Sequence, residues 1–103
     1  MIDIEDKYLA EIKQILIELA PDCEVRAFGS RVEGKSEKYS DLDLVLIGNA
    51  KLDRRKIERL KDAFAATNLP MTVDVLDYNA VSKEFQQIID KQYVVIKKNT
   101  DTD

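Results

Sequence analysis

Between about Asp6 and Ala20 apolar residues recur at three- and four-residue steps: Leu9, Ile12, Leu16 and Leu19, with Tyr8 and Ile15 widening the stripe. That spacing predicts an amphipathic helix with one face towards a core. Pro21 ends it, because its ring clashes with a continuing helix. Glu24 to Phe28 alternates, Val25 and Ala27 against Arg26 and Phe28, and reads as a short strand. Gly29-Ser30 follows at once, with Ser30 set to cap a short helix running towards Gly34. Lys35 to Ser40 is polar and reads as a loop. Leu42 to Ile47 is apolar apart from Asp43, the pattern of a central strand covered on both faces.

Gly48-Asn49 breaks that strand, and a second helix is predicted from about Asp53 to Ala66. Asp53 is its candidate cap, and Ile57, Leu60, Ala63 and Phe64 share one face. Asn68 to Pro70 is a turn, and Met71 to Leu76 a further strand. A third long helix is expected from Asn79 to about Asp90, with Val81, Phe85, Ile88 and Ile89 facing inward. Tyr93 to Ile96 reads as a short extended segment. The fold class is therefore α/β (α+β), a small mixed β-sheet flanked by helices. Residues 1–98 are expected to form a single domain, with 99–103 a flexible polar tail.

Composition narrows the chemistry. With 103 residues the chain suits one domain with a modest core. Its formal net charge of −4 argues against a large basic footprint, so direct nucleic-acid binding is not expected. No apolar run approaches the roughly 20 residues needed to span a bilayer. The acidic start Met1-Ile2-Asp3-Ile4-Glu5-Asp6 lacks the order of a secretion signal. Cys23 is the only cysteine, so no internal disulfide can form, and a reducing, cytoplasmic setting is expected with Cys23 a partly buried structural thiol. There is no histidine, which removes Ser-His-Asp and Cys-His catalysis and the usual zinc sites. Carboxylates, hydroxyls, lysines, arginines or a bound metal must do the work.

The segment GSRVEGKSEKYSDLDLVLI, Gly29 to Ile47, is where such chemistry gathers. Glycine lets a ligand approach the backbone closely, and a helix start offers N–H groups that suit phosphate oxygens. Ser30 adds a hydroxyl donor. By itself this fragment also fits an ordinary capped turn. Asp41 and Asp43 are alternate residues of one strand, on the same face with Cα atoms roughly 7 Å apart. Two carboxylates so spaced can share hard cations such as magnesium. A buried Asp43 without a partner would be costly, which favours a metal. Asp74 is a carboxylate in another apolar strand. If the strands are neighbours, it completes a three-carboxylate cluster whose repulsion two divalent ions would relieve. Asp77, three residues on, faces the other way and reads as a turn residue or cap.

Gly29-Ser30, ten residues, Asp41-Leu42-Asp43 and then Asp74 on a later strand resembles the DNA polymerase β-like nucleotidyltransferases. The short length points to their minimal, MNT-type branch, and the likeness runs from about Glu24 to Asp90. It implies that Asp41 and Asp43 bind two Mg2+ ions, with Asp74 sharing one and acting as base or orienting the attacking hydroxyl. It implies that Gly29 and Ser30 hold the β- and γ-phosphates of ATP or another nucleoside triphosphate. Arg31 and Lys35 are further candidates for phosphate pairing, and Tyr39 is expected to pack over the loop. Larger relatives carry extra domains for nucleobase and acceptor, and a chain this short implies that a partner completes the site. MNT-type proteins pair with helical HEPN-domain proteins as antitoxin and toxin, and can transfer AMP to a tyrosine of the toxin. The resemblance leaves two other readings open, a catalytically silent nucleotide- or metal-binding antitoxin and a subunit of a small-molecule transferase resembling the aminoglycoside-modifying enzymes.

Overall fold

A computed structural model describes residues 2–99. Helix α1 (Asp6–Leu19) runs as its apolar stripe predicts, with Ile12 and Leu16 fully buried. Strand β1 (Glu24–Phe28), the one-turn helix α2 (Ser30–Glu33) and strand β2 (Leu42–Ile47) follow. Helix α3 (Arg54–Ala65) begins at Asp53, whose side chain accepts from the Arg55 N–H as a helix-capping carboxylate should. Strand β3 spans Val73–Asp77, a 3-10 turn Tyr78–Ala80, helix α4 Lys83–Lys91 and strand β4 Val94–Lys97. Among the described residues no helix is long and apolar enough to cross a membrane.

The strands form one mixed sheet in the order β3-β2-β1-β4. β1 lies antiparallel to both β2 and β4, while β2 and β3 are parallel and joined through α3. A parallel pair requires such a crossover, because a tight turn cannot return the chain in the same direction. Val25, Ala27, Leu42, Leu44, Leu46, Val73 and Val75 share the principal core with Ile12 and Leu16 of α1 and Leu60 and Phe64 of α3. The opposite face is covered only in part. There Phe28, Val45 and Ile89 are buried, with Leu76, Val81 and Phe85 packed around them. The phenyl rings of Phe28 and Phe85 meet edge to face at 5.9 Å. α4 thus lies over the middle of this second face, and Asp43 stands beyond it.

Three expectations shift. The long helix from Asn79 is two pieces, because Asp77 caps the Asn79 N–H and Ser82 caps the Phe85 N–H, with Val81 extended between them. With the helix starting after Ser82, Phe85 and Ile89 share the inward stripe, and Ile88 is turned to solvent at 56% exposure rather than inward. β3 and β4 each start about a residue or two later than their apolar runs suggest, at Val73 and Val94. The polar tail expected from Asn99 lies, beyond Asn99, outside the described residues.

One tie was not visible in the pattern. α1 has no basic residue in its last turn, so no side chain of the helix itself complements the negative end of its dipole. Lys97 of β4, 9% exposed, supplies the charge from across the fold. Its Nζ donates to the carbonyls of Ala20, Pro21 and Cys23. Cys23 is fully buried beneath this knot, and burial pushes its thiol pKa up, which agrees with a structural role. Lys97→Met removes a charged donor from several carbonyls at once and should destabilise the fold by about 2 kcal/mol. Equilibrium urea unfolding measures this as a lower midpoint with an unchanged slope.

Candidate active site

The site is built where β1 ends. Phe28 pairs with Asp43 across the β1–β2 ladder, so the residue after Phe28 meets the Asp43 side chain. That residue is Gly29, with φ 83° and ψ −159°, a region essentially confined to glycine. A Cβ built on it would lie 2.3 Å from Asp43 Oδ2. Glycine is therefore demanded by torsion, and any side chain here would also push the Asp43 carboxylate from its place. The backbone then turns into α2, where the Val32 and Glu33 N–H groups both donate to the Gly29 carbonyl at 3.0 Å. Gly29, not Ser30, is the cap. Ser30 is the first helical residue, because the positive φ of Gly29 makes the turn one residue earlier than a serine cap would.

Asp43 and Asp74 are register partners on the parallel strands β2 and β3. Asp41 precedes β2 and shares their face by strand alternation. Asp43 is half-buried, and its pKa is raised first by burial, then by the charges of Asp74, Asp41 and Glu33. Asp41 and Asp74 are exposed. Burial thus constrains Asp43 but not Asp74, which looks outward from an edge strand between inward Val73 and Val75. Among the described residues no three carboxylate, cysteine or histidine side chains are close enough to hold one metal ion as they stand. The carboxylates share a face and one another's fields, and stop short of a closed cage. Such an all-oxygen, open set fits magnesium, which keeps waters and phosphate oxygens in its shell. It does not fit a softer metal.

Arg31 is not brought to this group. It is 6% exposed, and its guanidinium donates to Ser40 O at 2.9 Å, Asp3 O at 2.8 Å and Lys38 O at 3.2 Å. The Asp3 N–H returns a bond to the Arg31 carbonyl. Arg31 therefore ties α2 and the segment before α1 to the loop that delivers Asp41, which is a positioning task. Lys35 is exposed and sits 3.9 Å from Glu33. Tyr39 does not pack over the loop, being 71% exposed beside a cleft that it shares with Asp74. Glu33 is a fourth carboxylate that the residue pattern overlooked. One helical turn after Ser30 brings it back towards Asp43, and that three-residue offset was its only signal. Asp77 faces the core side, as expected, and accepts from the N–H groups of Asn79 and Leu52.

Gly29→Ala should destabilise the chain by about 3 kcal/mol, the upper end for a forced backbone conformation, since its methyl also displaces the Asp43 carboxylate. Chemical denaturation reads this directly. Asp43→Asn should do the reverse at neutral pH. A raised folded-state pKa means that ionised Asp43 opposes folding above the carboxylate range and ceases to do so once protonated. The melting temperature of Asp43→Asn should exceed that of the unsubstituted chain at pH 7, with the gain fading as pH falls through Asp43's titration.

Comparison with known proteins gives a consistent result. The family described as Polymerase beta, Nucleotidyltransferase matches residues 10–102. A Haemophilus influenzae protein named "Probable protein adenylyltransferase MntA" is 50% identical over 101 residues, covering 98% of this chain and 89% of its own. A solved toxin–antitoxin structure with AMP-PNP superposes with a TM-score of 0.75 at 22% identity, over 90% of this chain and 75% of that one. A complex of tri-AMPylated Shewanella oneidensis HEPN toxin with MNT antitoxin superposes at 0.71 with 21% identity, over 95% and 76%. At such identities these two structures speak for the fold, and the first two matches speak for the family. The chain is a nucleotidyltransferase belonging to the polymerase beta family.

Proposed function

We propose that this chain transfers AMP from ATP to a tyrosine hydroxyl of a helical HEPN-domain partner, acting in the cytoplasm as the antitoxin of a toxin–antitoxin pair. The observation that carries the chemistry is Asp43, held against the Gly29 backbone on one side and in register with Asp74 on the other. This joins a phosphate-binding turn to a carboxylate group in one continuous surface. The choice of AMP and of a protein acceptor is supported by the Haemophilus influenzae relative, named for that activity. The choice of partner is supported by the MNT–HEPN complex that shares this fold.

In this reading the Gly29 turn and the Ser30 hydroxyl hold the terminal phosphates, the hydroxyl donating to a phosphate oxygen. Asp41, Asp43 and Asp74 are the residues that would hold two magnesium ions. Bound there, magnesium would supply positive charge that neutralises the triphosphate and the departing pyrophosphate. Asp74 accepts the proton of the attacking hydroxyl. The hydroxyl oxygen then bonds to the α-phosphorus, the bond to the bridging oxygen breaks, and pyrophosphate leaves. Arg31 keeps Asp41 in position by holding the carbonyls of Lys38 and Ser40.

Magnesium with ATP should raise the melting temperature, since a ligand at about 100 times its Kd stabilises the folded state by about 2.7 kcal/mol. Neither ATP nor magnesium alone should match the pair. No shift at millimolar concentrations of both would remove the site. Incubation of the chain with its HEPN partner, magnesium and ATP should add AMP to the partner by intact mass, and Asp43→Asn should abolish the addition. A stable complex with unchanged mass would instead identify a silent antitoxin.

A further inference from the structure

Helix α2 is a single turn, and a single turn does not hold itself. Forming it fixes about six torsions for one hydrogen bond, so it persists only where the rest of the fold supplies partners. The Gly29 carbonyl is answered from within the turn, by the N–H groups of Val32 and Glu33. That of Ser30 is answered at its exit, by Gly34 and Lys35. The next two carbonyls look outside. Arg31 O accepts from the Asp3 N–H at 2.7 Å, and Val32 O accepts from the side chain of Gln92 at 3.2 Å. The Asp3 donor is backbone and does not depend on the residue there. Only the Gln92 donor is a choice of side chain.

We infer that Gln92 is a positioning residue for the nucleotide, holding α2 so that the Ser30 hydroxyl and the Gly29 backbone are set to receive the triphosphate. The inference rests on the reading of Gly29-Ser30 as the phosphate-binding turn.

Two observations point to it. The first is which group requires the bond. Gln92 is exposed, and water would satisfy its carboxamide equally well. The group that gains is the Val32 carbonyl, 60 residues away in the chain. The second is where α4 touches. Gln92 caps the end of α4, its own N–H donating to Ile89 O at 3.3 Å. One turn after the start of the same helix, Phe85 meets Phe28 edge to face at 5.9 Å. Phe28 immediately precedes Gly29, and Val32 lies two residues after Ser30. α4 and its cap therefore brace the chain on both sides of the turn, by an apolar contact before it and a hydrogen bond after it.

A ligand that needs the closed turn binds in proportion to the fraction of molecules in which the turn is closed. A neutral hydrogen bond changes such an equilibrium by about fivefold. Because a lone turn is marginal, most of that change should appear in the affinity for the nucleotide.

The test uses the full chain, with magnesium and a non-hydrolysable ATP analogue as the probe, and Gln92→Leu, which keeps the bulk and removes the donor. The analogue should bind Gln92→Leu about three- to fivefold more weakly by calorimetry. The amides of Val32 and Glu33 should exchange with solvent at least threefold faster by NMR. Gln86→Leu is the matched control, since Gln86 donates to a carbonyl from the same helix, that of Tyr78 at 2.7 Å, away from α2. It should lower the urea midpoint and leave both the analogue's affinity and the α2 amides unchanged. Unchanged affinity and exchange in Gln92→Leu would overturn the inference. Equal weakening by Gln86→Leu would also overturn it, because the effect would then be one of general stability. If the unsubstituted chain does not bind the analogue, the phosphate-turn reading fails instead, and the positioning role falls with it. Analogue binding that is present but indifferent to Gln92 removes the positioning role alone.

Discussion

The contact between the Gly29 backbone and the Asp43 carboxylate is the constraint on which the functional end of this molecule depends. It follows from the pairing of Phe28 with Asp43, which sets the first residue after β1 directly against a side chain of β2. Any side chain at residue 29 would occupy the space that the carboxylate fills. The same positive φ turns the chain into α2, which carries Ser30 over this surface and Glu33 back towards it. A turn suited to phosphate and a carboxylate suited to a cation are thus one piece of geometry.

The remainder of the fold holds that contact in register. β2 is fixed on its core face by Leu42, Leu44 and Leu46, all fully buried, and on its other face by Val45 beneath Ile89. A slip of one residue would send Asp43 into the principal core and expose three leucines, so the register is strongly specified. The crossover through α3 makes β3 parallel to β2 and brings Asp74 level with Asp43. Lys97 and Arg31 do comparable work at a distance. Each is a buried cation answering backbone carbonyls, one at the end of α1 and the other along the loop before Asp41.

Leaving several carboxylates near one another is unfavourable in itself, and Asp43 bears most of that burden because it is the least solvated of them. Asp41 and Asp74 stand in water, where their charges are screened. The arrangement keeps one carboxylate strained and its neighbours available. Such a set is suited to receiving cations and phosphate together, and less suited to binding a metal tightly on its own.

Much of this was legible in the chain. Periodicity gave α1, β1, β2 and α3 nearly to the residue, since each buries a regular stripe and is punctuated by Pro21, Gly29, Gly48 or Asp53. The spacing of Gly29-Ser30, Asp41, Asp43 and Asp74 pointed to one candidate site, and the fold sets Gly29 against Asp43 and Asp43 level with Asp74. What the sequence could not convey was which strands are neighbours and what lies over them. The exposure of Asp74 and the cleft beside it depend on β3 being an edge, while the outward turn of Ile88 follows from where the Ser82 cap starts α4. Arg31 reads as a phosphate ligand by its place after Gly29-Ser30, yet it is occupied by carbonyls from residues 3, 38 and 40. Local pattern determines which groups are present and which way a strand or helix faces. Only the packed fold decides which distant backbone atoms meet a buried cation, and so which charges remain for the substrate.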